Sequence, residues 1–367
     1  MRTILAEKLL SKIMNWDSDE VTSEIPLLLA LASFKYDEYQ QFSSGIRFIE
    51  SLVKWLEQFE KEDERKIAYS FVIKRLIFIS NNQVNHLVNM TFSDKVNPVL
   101  IEKTSVQLGC GAFMVKKISE SEEYKKLLRR TLFIGLSDGA RIDLFRRSKK
   151  EISNEQVFPS YHISREKVKD MISELEKANC TGKFNSVFLI DDFTASGTSY
   201  FRSENSVFTG KIHKFLQKLF SSEPNEYTDL IESSAEFNLH IVFYVATRQA
   251  LDTIQGAFKA FVDSEKLNFI WSVEAIQVIE NHISEDVKQE TDFIDIISEP
   301  NHFDDKIVDS HFKKGKHEKP YLGFNEGALP LILSHNTPNN SLPILWFPED
   351  SDHVVGLFPR ITRHKDD

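Results

Sequence analysis

Apolar residues in the first third of the chain recur at the spacing of an amphipathic helix. Within residues 46–56 and again within 68–79, an apolar side chain stands at every third or fourth position, and the charged segment 57–66 separates the two sets. This periodicity places the apolar side chains on one face of each segment and predicts two antiparallel helices with buried stripes. Residues 1–120 are therefore predicted to form a helical region.

The pattern changes in the remainder of the chain. Short runs of continuous apolar residues at 132–136, 187–190 and 241–245 alternate with segments of helical periodicity at 164–178 and 211–220. Continuous apolar runs are typical of parallel strands, because helices cover both faces of a parallel sheet. We therefore expect residues 121–367 to form an α/β domain with a mostly parallel sheet flanked by helices.

The run at 187–190 leads directly into two acids, Asp191 and Asp192, and then into a loop of small and hydroxyl residues at 193–199. Ligands of open α/β sheets gather at the carboxyl ends of the strands. Adjacent strand residues point to opposite faces, so one acid is expected to face a ligand and the other a neighbouring loop or a metal-bound water. Paired carboxylates suit ribose hydroxyls and hydrated Mg2+, and Gly197 with its small neighbours lets backbone N–H groups approach a phosphate.

Two further readings of this segment stay open. If residues 200–202 begin a helix, the N–H groups at its start also favour an anion. Alternatively, the terminal Asp merely caps the next helix and the segment binds nothing. A second apolar strand upstream ends in the turn 137–141, where Arg141 is suited to neutralising phosphate charge or simply lies on the surface of a type I turn.

Residues 187–199 resemble the phosphoribosyl pyrophosphate (PRPP) motif of type I phosphoribosyltransferases: four apolar residues, two acids, and a loop of small and hydroxyl residues around a glycine. The resemblance implies that Asp191 and Asp192 hold the ribose hydroxyls and, directly or through water, Mg2+. It implies that the 5-phosphate cradle is formed by Ala195, Ser196, Gly197, Thr198 and Ser199. It implies that the pyrophosphate loop is formed by Ser137, Asp138, Gly139 and Arg141. Three positions depart from the motif: Ser196 replaces the usual Thr, Thr198 stands where Gly is common, and Phe193 is bulky.

Together with the C-terminal segments 334–346 and 357–360, these strings are similar to the phosphoribosyltransferase-like domain of bacterial conflict and phage-defence loci, including retron-type systems. This resemblance covers roughly residues 120–367. It implies a role in antiviral defence, a partner such as a reverse transcriptase with its noncoding RNA, and a homodimer. The amides within 336–340 are interpreted either as groups that recognise a base or as groups that join two turns.

Composition narrows the classes of function. The formal net charge of −10 argues against nonspecific binding to a nucleic acid backbone, which requires clustered Lys and Arg. Two cysteines are too few for a disulfide framework, so a reducing cytoplasm is expected. Residues 1–16 are typical of an amphipathic helix rather than a signal peptide, and the longest apolar run, 25–34, is too short to span a membrane.

The predicted function is that of a phosphoribosyltransferase-like effector. It is expected to bind PRPP or a related ribose-phosphate nucleotide with Mg2+ and to catalyse substitution at the anomeric carbon, as a glycosyltransferase or an N-glycosidic hydrolase. The alternative is a noncatalytic module that senses PRPP or a nucleotide and regulates a partner. Multiple turnover distinguishes the two, since a sensor binds its ligand without consuming it.

Overall fold

The computed structural model describes residues 3–160, 163–180, 182–204, 207–232, 237–309, 312–316, 318–349, 351 and 353–361. The helices in these ranges are α1 (Thr3–Met14), α2 (Ser18–Phe34), α3 (Phe48–Glu57), α4 (Glu62–Arg75), α5 (Asn81–Thr91), α6 (Asn97–Gln107), α7 (Val115–Ser119), α8 (Glu122–Arg129), α9 (Ile142–Arg147), α10 (Arg165–Lys177), α11 (Lys211–Leu219), α12 (Glu226–Leu230), α13 (Arg248–Ser264), α14 (Asn281–Gln289) and α15 (Thr291–Ser298). The strands are β1 (Ile77–Ile79), β2 (Thr131–Gly135), β3 (Val157–Phe158), β4 (Ser186–Thr194), β5 (Arg202–Glu204), β6 (Val207–Thr209), β7 (Asn238–Thr247), β8 (Ile270–Ile279) and β9 (Leu331–Leu333).

The largest sheet of the described residues is five-stranded and entirely parallel, in the order β3-β2-β4-β7-β8. The predicted α/β fold is confirmed, and the three predicted apolar runs lie in β2, β4 and β7. From β2 the chain passes to the edge strand β3 and then returns to β4 on the other side of β2. The direction of progress therefore reverses between β2 and β4, and this is where open α/β sheets form a ligand crevice.

Strand β4 continues beyond the acids, although the apolar run predicted an end at Ile190. Its neighbour β2 stops where Gly135 pairs with Ile190, whereas β7 stays paired with β4 as far as Thr194. The extension exists because β7 is buried along its full length and offers β4 a partner for four more residues. Asp191 and Asp192 thus lie on a strand end that β2 no longer covers.

Helices α10, α11 and α13 bury their apolar stripes on one face of this sheet. Their Met171, Phe215 and Phe258 join a core that includes Val187 and Ile241 of the strands. The two helices predicted at 164–178 and 211–220 are confirmed as α10 and α11. Because this face is closely packed, the carboxyl ends of β2 and β4 are held on a rigid base.

The chain divides into two compact units, residues 84–279 and residues 1–83 with 280–367. This division differs from the predicted one at residue 120. Helices α6 to α8 and most of α5 belong to the unit that contains the sheet. The C-terminal segment joins the N-terminal helices because β9 pairs in parallel with β1, with Ile77 opposite Leu331.

The pairing with β9 also explains one incorrect helix prediction. The second periodic segment, 68–79, is helical only as far as Arg75, and residues 77–79 form β1 instead. The sequence Ile-Phe-Ile is a good strand former once a partner strand is present. In the part of the chain that the structure describes, no helix has the length and apolar character needed to cross a membrane.

Candidate functional site

Asp191 lies at the switch point of the sheet and is fully buried. The Ser137 hydroxyl donates a hydrogen bond to its Oδ1, the Tyr200 hydroxyl donates to its Oδ2 at 2.8 Å, and Nζ of Lys211 lies 3.4 Å from the same Oδ2. Ser137 follows β2 and Asp191 ends the apolar run of β4. The fold therefore brings together the two segments that the sequence marked as candidate ligand loops.

Burial raises the pKa of Asp191 to about 6, and the negative charge of Asp192 adds to this effect. Lys211, Ser137 and Tyr200 act in the opposite direction, because each of them stabilises the carboxylate. Burial also holds the pKa of Tyr200 well above its ordinary value, so this phenol stays a hydrogen-bond donor. The oxygens of Asp191 are thus occupied by protein groups.

Asp192 has a different environment, as the alternation of strand side chains predicts. It is half-buried, its Oδ1 accepts the N–H of Phe193 at 2.8 Å, and its Oδ2 lies against Gly139. A Cβ at position 139 would be 2.5 Å from that oxygen, so the turn after β2 has room for this carboxylate only because residue 139 is glycine. Of the two adjacent acids, Asp192 is the one with oxygens near the surface of the crevice.

The loop at 195–199 is clamped to the start of α13. Thr247, the N-cap of α13, donates its hydroxyl proton to the carbonyl oxygen of Ala195 at 2.6 Å and accepts the N–H of Ala250 at 3.0 Å. Gly197 has a φ of +74°, and a Cβ there would be 2.8 Å from the carbonyl oxygen of Ala250. A larger residue at 197 would therefore be strained and would also push the loop from α13.

The same loop presents several donors. The hydroxyls of Ser196 and Thr198 lie 2.9 Å apart and share a hydrogen bond. The N–H groups of Ser196 and Ser199 have no acceptor among the described residues. Free N–H groups and hydroxyls around a glycine form a concavity suited to an anion.

No helix begins at residues 200–202, so the open interpretation of a helix start directly after the loop does not apply. An antiparallel ribbon of β5 and β6 follows instead, and α11 begins only at Lys211. Beyond the ribbon the chain returns to the loop, since the N–H of Lys211 donates to Ser199 at 3.2 Å and that of Ile212 donates to Tyr200 at 2.9 Å. Gly210, with a φ of +115°, allows this return because a Cβ there would collide with the carbonyl oxygen of Tyr200.

The turn after β2 places its other predicted residues differently. Arg141 adopts a left-handed φ of 44° and donates from Nη1 to Oδ1 of Asn85 at 2.8 Å. The Tyr244 hydroxyl donates to the carbonyl oxygen of Ala140 at 2.6 Å and so fixes the turn. Asp138 is exposed. The guanidinium of Arg141 is thus held by helix α5 while Ser137 is directed at the acids.

Tyr200 and Lys211 were not predicted as site residues. In the sequence, Tyr200 is indistinguishable from a core aromatic, and Lys211 is separated from the acids by a ribbon whose length no periodicity indicates. The one signal in the sequence was indirect: Lys211 is a charged residue at the start of a predicted helix, and it follows soon after the loop at 195–199.

The donor set bears on where Mg2+ fits. Among the described residues, no group of three or more His, Cys, Asp or Glu side chains is arranged to hold a metal ion. Asp191 is occupied by protein donors, which leaves the half-buried Asp192 at the crevice. Mg2+ keeps several waters and uses one or two carboxylates together with the phosphates of a substrate. This site fits an ion that is carried mainly by ligand oxygens.

The C-terminal amides join turns, as one of their two interpretations predicted. The side-chain amide of Asn340 donates to Phe324 at 3.0 Å, and Gln41 donates to Oδ1 of Asn336 at 3.1 Å. The guanidinium of Arg360 lies 4.1 Å from the centre of the Trp346 ring and donates a hydrogen bond to Asn339. The segment 334–346 therefore has a structural role in its own unit.

A family model, PRTase-CE, matches residues 52–360. The match includes β2, β4 and the loop at 195–199, and it extends through the C-terminal segment. No curated protein and no solved structure matches the chain.

Proposed function

Because the chain belongs to the PRTase-CE family, which is phosphoribosyltransferase-like, we propose that it binds PRPP or a related ribose-phosphate nucleotide, with Mg2+, in the crevice between β2 and β4. The hydrogen bond from Ser137 to Asp191 carries this proposal. It joins the turn after β2 to the acids of β4 at the switch point of the sheet. In this arrangement a pyrophosphate and a ribose are held by adjacent loops.

The loop at 195–199 receives the 5-phosphate through the N–H groups of Ser196 and Ser199 and the nearby hydroxyls. Asp192 accepts hydrogen bonds from the ribose hydroxyls, and the turn at 137–141 faces the pyrophosphate. Mg2+ supplies charge neutralisation for the pyrophosphate when it is bound. As the bond to the anomeric carbon breaks, the carboxylate of Asp192 stabilises the positive charge that develops on the sugar ring.

Titration calorimetry with PRPP and Mg2+ tests the proposal. We expect saturable binding to the wild type and about 10- to 100-fold weaker binding to Asp192→Asn, because a charge-assisted hydrogen bond contributes about 1.5–3 kcal/mol. Asp170→Asn, the same change at an exposed position of α10, is the matched control and should bind as the wild type does. Equal affinities for all three proteins would remove Asp192 from the site, and an absence of binding to the folded wild type would refute the function.

A second prediction concerns Gly139. Gly139→Ala should force the carboxylate of Asp192 to rotate away, since the new Cβ lies 2.5 Å from its Oδ2 and 2.8 Å from its Cγ. The obstacle is the end of a side chain, so we expect a change in unfolding free energy within about 1 kcal/mol and a loss of PRPP affinity of about 10-fold. Gly256→Ala is the matched control, because nothing lies within 4 Å of its Cβ position. PRPP binding that is unaltered in Gly139→Ala would show that the observed position of Asp192 is not required.

A noncatalytic sensor is the second candidate. It is favoured by the commitment of both oxygens of Asp191 to Ser137, Tyr200 and Lys211, because a motif acid that is held by protein donors does not take part in turnover. Pyrophosphate release over many equivalents of PRPP, measured with candidate acceptors and with water alone, separates the two functions. Turnover supports substitution at the anomeric carbon, whereas stoichiometric binding without release supports the sensor.

For its biological setting we propose a role as an effector in bacterial antiphage defence, acting with a partner such as a reverse transcriptase and its noncoding RNA. The likeness of segments 334–346 and 357–360 to defence-locus proteins supports this setting. Copurification of the chain with the products of its neighbouring genes tests it, and failure to recover any partner or any protection against phage would argue against it.

A further inference from the structure

Lys211 lies between the buried Asp191 and the loop at 195–199. Its backbone N–H donates to Ser199, the last residue of the loop, and its side chain turns back across the Tyr200 ring with Nζ 4.8 Å from the ring centre. Nζ lies 3.4 Å from Oδ2 of Asp191. The Lys211 side chain is 30% exposed while that of Asp191 is 0% exposed, so the ammonium lies at the boundary between the core and the crevice.

The ammonium group retains unused donors. A lysine has three N–H donors, and within the ranges that the structure describes the Lys211 ammonium has one acceptor, Oδ2 of Asp191. The 3.4 Å separation is longer than the roughly 2.7–2.9 Å of a strong charge-assisted bond, and this oxygen also accepts the Tyr200 hydroxyl at 2.8 Å. The ring of Tyr200 holds the ammonium in place by a cation–π contact without using a donor.

We propose that Lys211 binds the phosphate of a sugar phosphomonoester seated on the loop at 195–199, and that it makes the site selective for phosphorylated over unphosphorylated ribose. This inference rests on the proposed function. The loop itself offers only neutral N–H and hydroxyl donors, and the two adjacent acids repel an anion. A cation at the end of the loop offsets that repulsion, and Lys211 has both the position and the free donors to do so.

The test uses ribose 5-phosphate and ribose as probes in titration calorimetry. Lys211→Gln should bind ribose 5-phosphate about 10- to 100-fold more weakly than the wild type, and Lys211→Arg, which keeps the charge, should recover part of the loss. Lys214→Gln, at an exposed lysine of the same helix, is the matched control and should leave the affinity unchanged. The affinity for ribose, which lacks the phosphate, should be about the same in all of these proteins.

Because Lys211 also faces Asp191, its removal leaves a buried carboxylate with one fewer partner. The same substitution is therefore made in an Asp191→Asn background, where that charge is gone. If Lys211 contacts the phosphate, Lys211→Gln weakens ribose 5-phosphate binding in both backgrounds. If the loss disappears in the Asp191→Asn background, Lys211 merely balances Asp191 and the inference is overturned.

The remaining outcomes separate this inference from the proposed function. Unaltered ribose 5-phosphate affinity in Lys211→Gln, with PRPP binding still dependent on Asp192, would overturn the role of Lys211 alone. A folded wild type that binds neither PRPP nor ribose 5-phosphate would overturn both. Circular dichroism and thermal unfolding of each variant confirm that the proteins compared are folded.

Discussion

Replacing Phe358 with alanine is expected to lower the free energy of unfolding of the unit formed by residues 1–83 and 280–367 by about 3–5 kcal/mol, the usual cost of deleting a buried phenyl ring. Phe358 is fully buried. Its ring centre lies 5.3–5.8 Å from those of five other aromatic side chains, Tyr36, Tyr39, Phe42, Phe48 and Phe78. Truncation therefore removes several ring contacts at once and leaves a cavity that the closely packed neighbouring side chains fill only in part.

The matched control is Phe34→Ala, since Phe34 is 79% exposed in the same unit and its truncation should change the unfolding free energy by no more than about 0.5 kcal/mol. Equilibrium denaturation followed by tryptophan fluorescence is suitable because Trp16, Trp55 and Trp346 all lie in this unit. Equal destabilisation by the two substitutions would show that Phe358 does not organise this core.

The packing of Phe358 gives a physical reason for the short segment 357–360 that the sequence comparison singled out. The N–H of Phe358 donates to Leu345 at 2.7 Å, and its carbonyl oxygen accepts the Tyr39 hydroxyl at 3.0 Å. Side chain and backbone of this residue thus connect both ends of the chain within one unit. Leu357 and Phe358 of this segment are therefore part of the core of the unit.

Local sequence was a good guide to the sheet. Residues 132–136, 187–190 and 241–245 were recognisable because strands covered on both faces are continuously apolar, and the helices between them kept a clear amphipathic period. The prediction that acids would stand at the carboxyl end of a parallel strand followed from the same pattern. These features depend on neighbours in sequence, so the sequence alone was enough to predict them.

Features that depend on distant partners were not predictable. The strand β1 forms only because β9 lies beside it, and the pairing joins residues that are far apart in the chain. The ribbon of β5 and β6 consists of three-residue strands, which are too short to show a period. Lys211 reaches Asp191 only because this ribbon returns the chain to the loop, so its role in the site followed from the fold and not from spacing.

The second large effect concerns pH and Asp191. In the folded state the pKa of Asp191 is about 6, because burial and the charge of the neighbouring Asp192 disfavour the carboxylate. The ordinary pKa of this side chain is 3.8. Between these two pH values the folded state binds more protons than the unfolded state. The contribution of Asp191 to the free energy of unfolding is therefore fully present below about pH 4, decreases as the pH rises to about 6, and is constant above that. A difference of about two pH units corresponds to a loss of about 3 kcal/mol.

Asp191→Asn should remove this pH dependence, since the amide does not titrate. The expected result, from urea denaturation between pH 4 and pH 8, is a stability difference between variant and wild type that shifts by about 3 kcal/mol in favour of the variant across this range. Burial lowers the pKa of His240 to about 4, so protonation of His240 at low pH destabilises the folded state. Both proteins contain His240, and its effect therefore cancels in the difference between them. Asp170→Asn, the same substitution at an exposed position of α10, is measured beside it as the control. A difference for Asp191→Asn that does not change with pH would mean that Lys211, Tyr200 and Ser137 compensate the carboxylate fully, so that burial imposes no net cost on its charge.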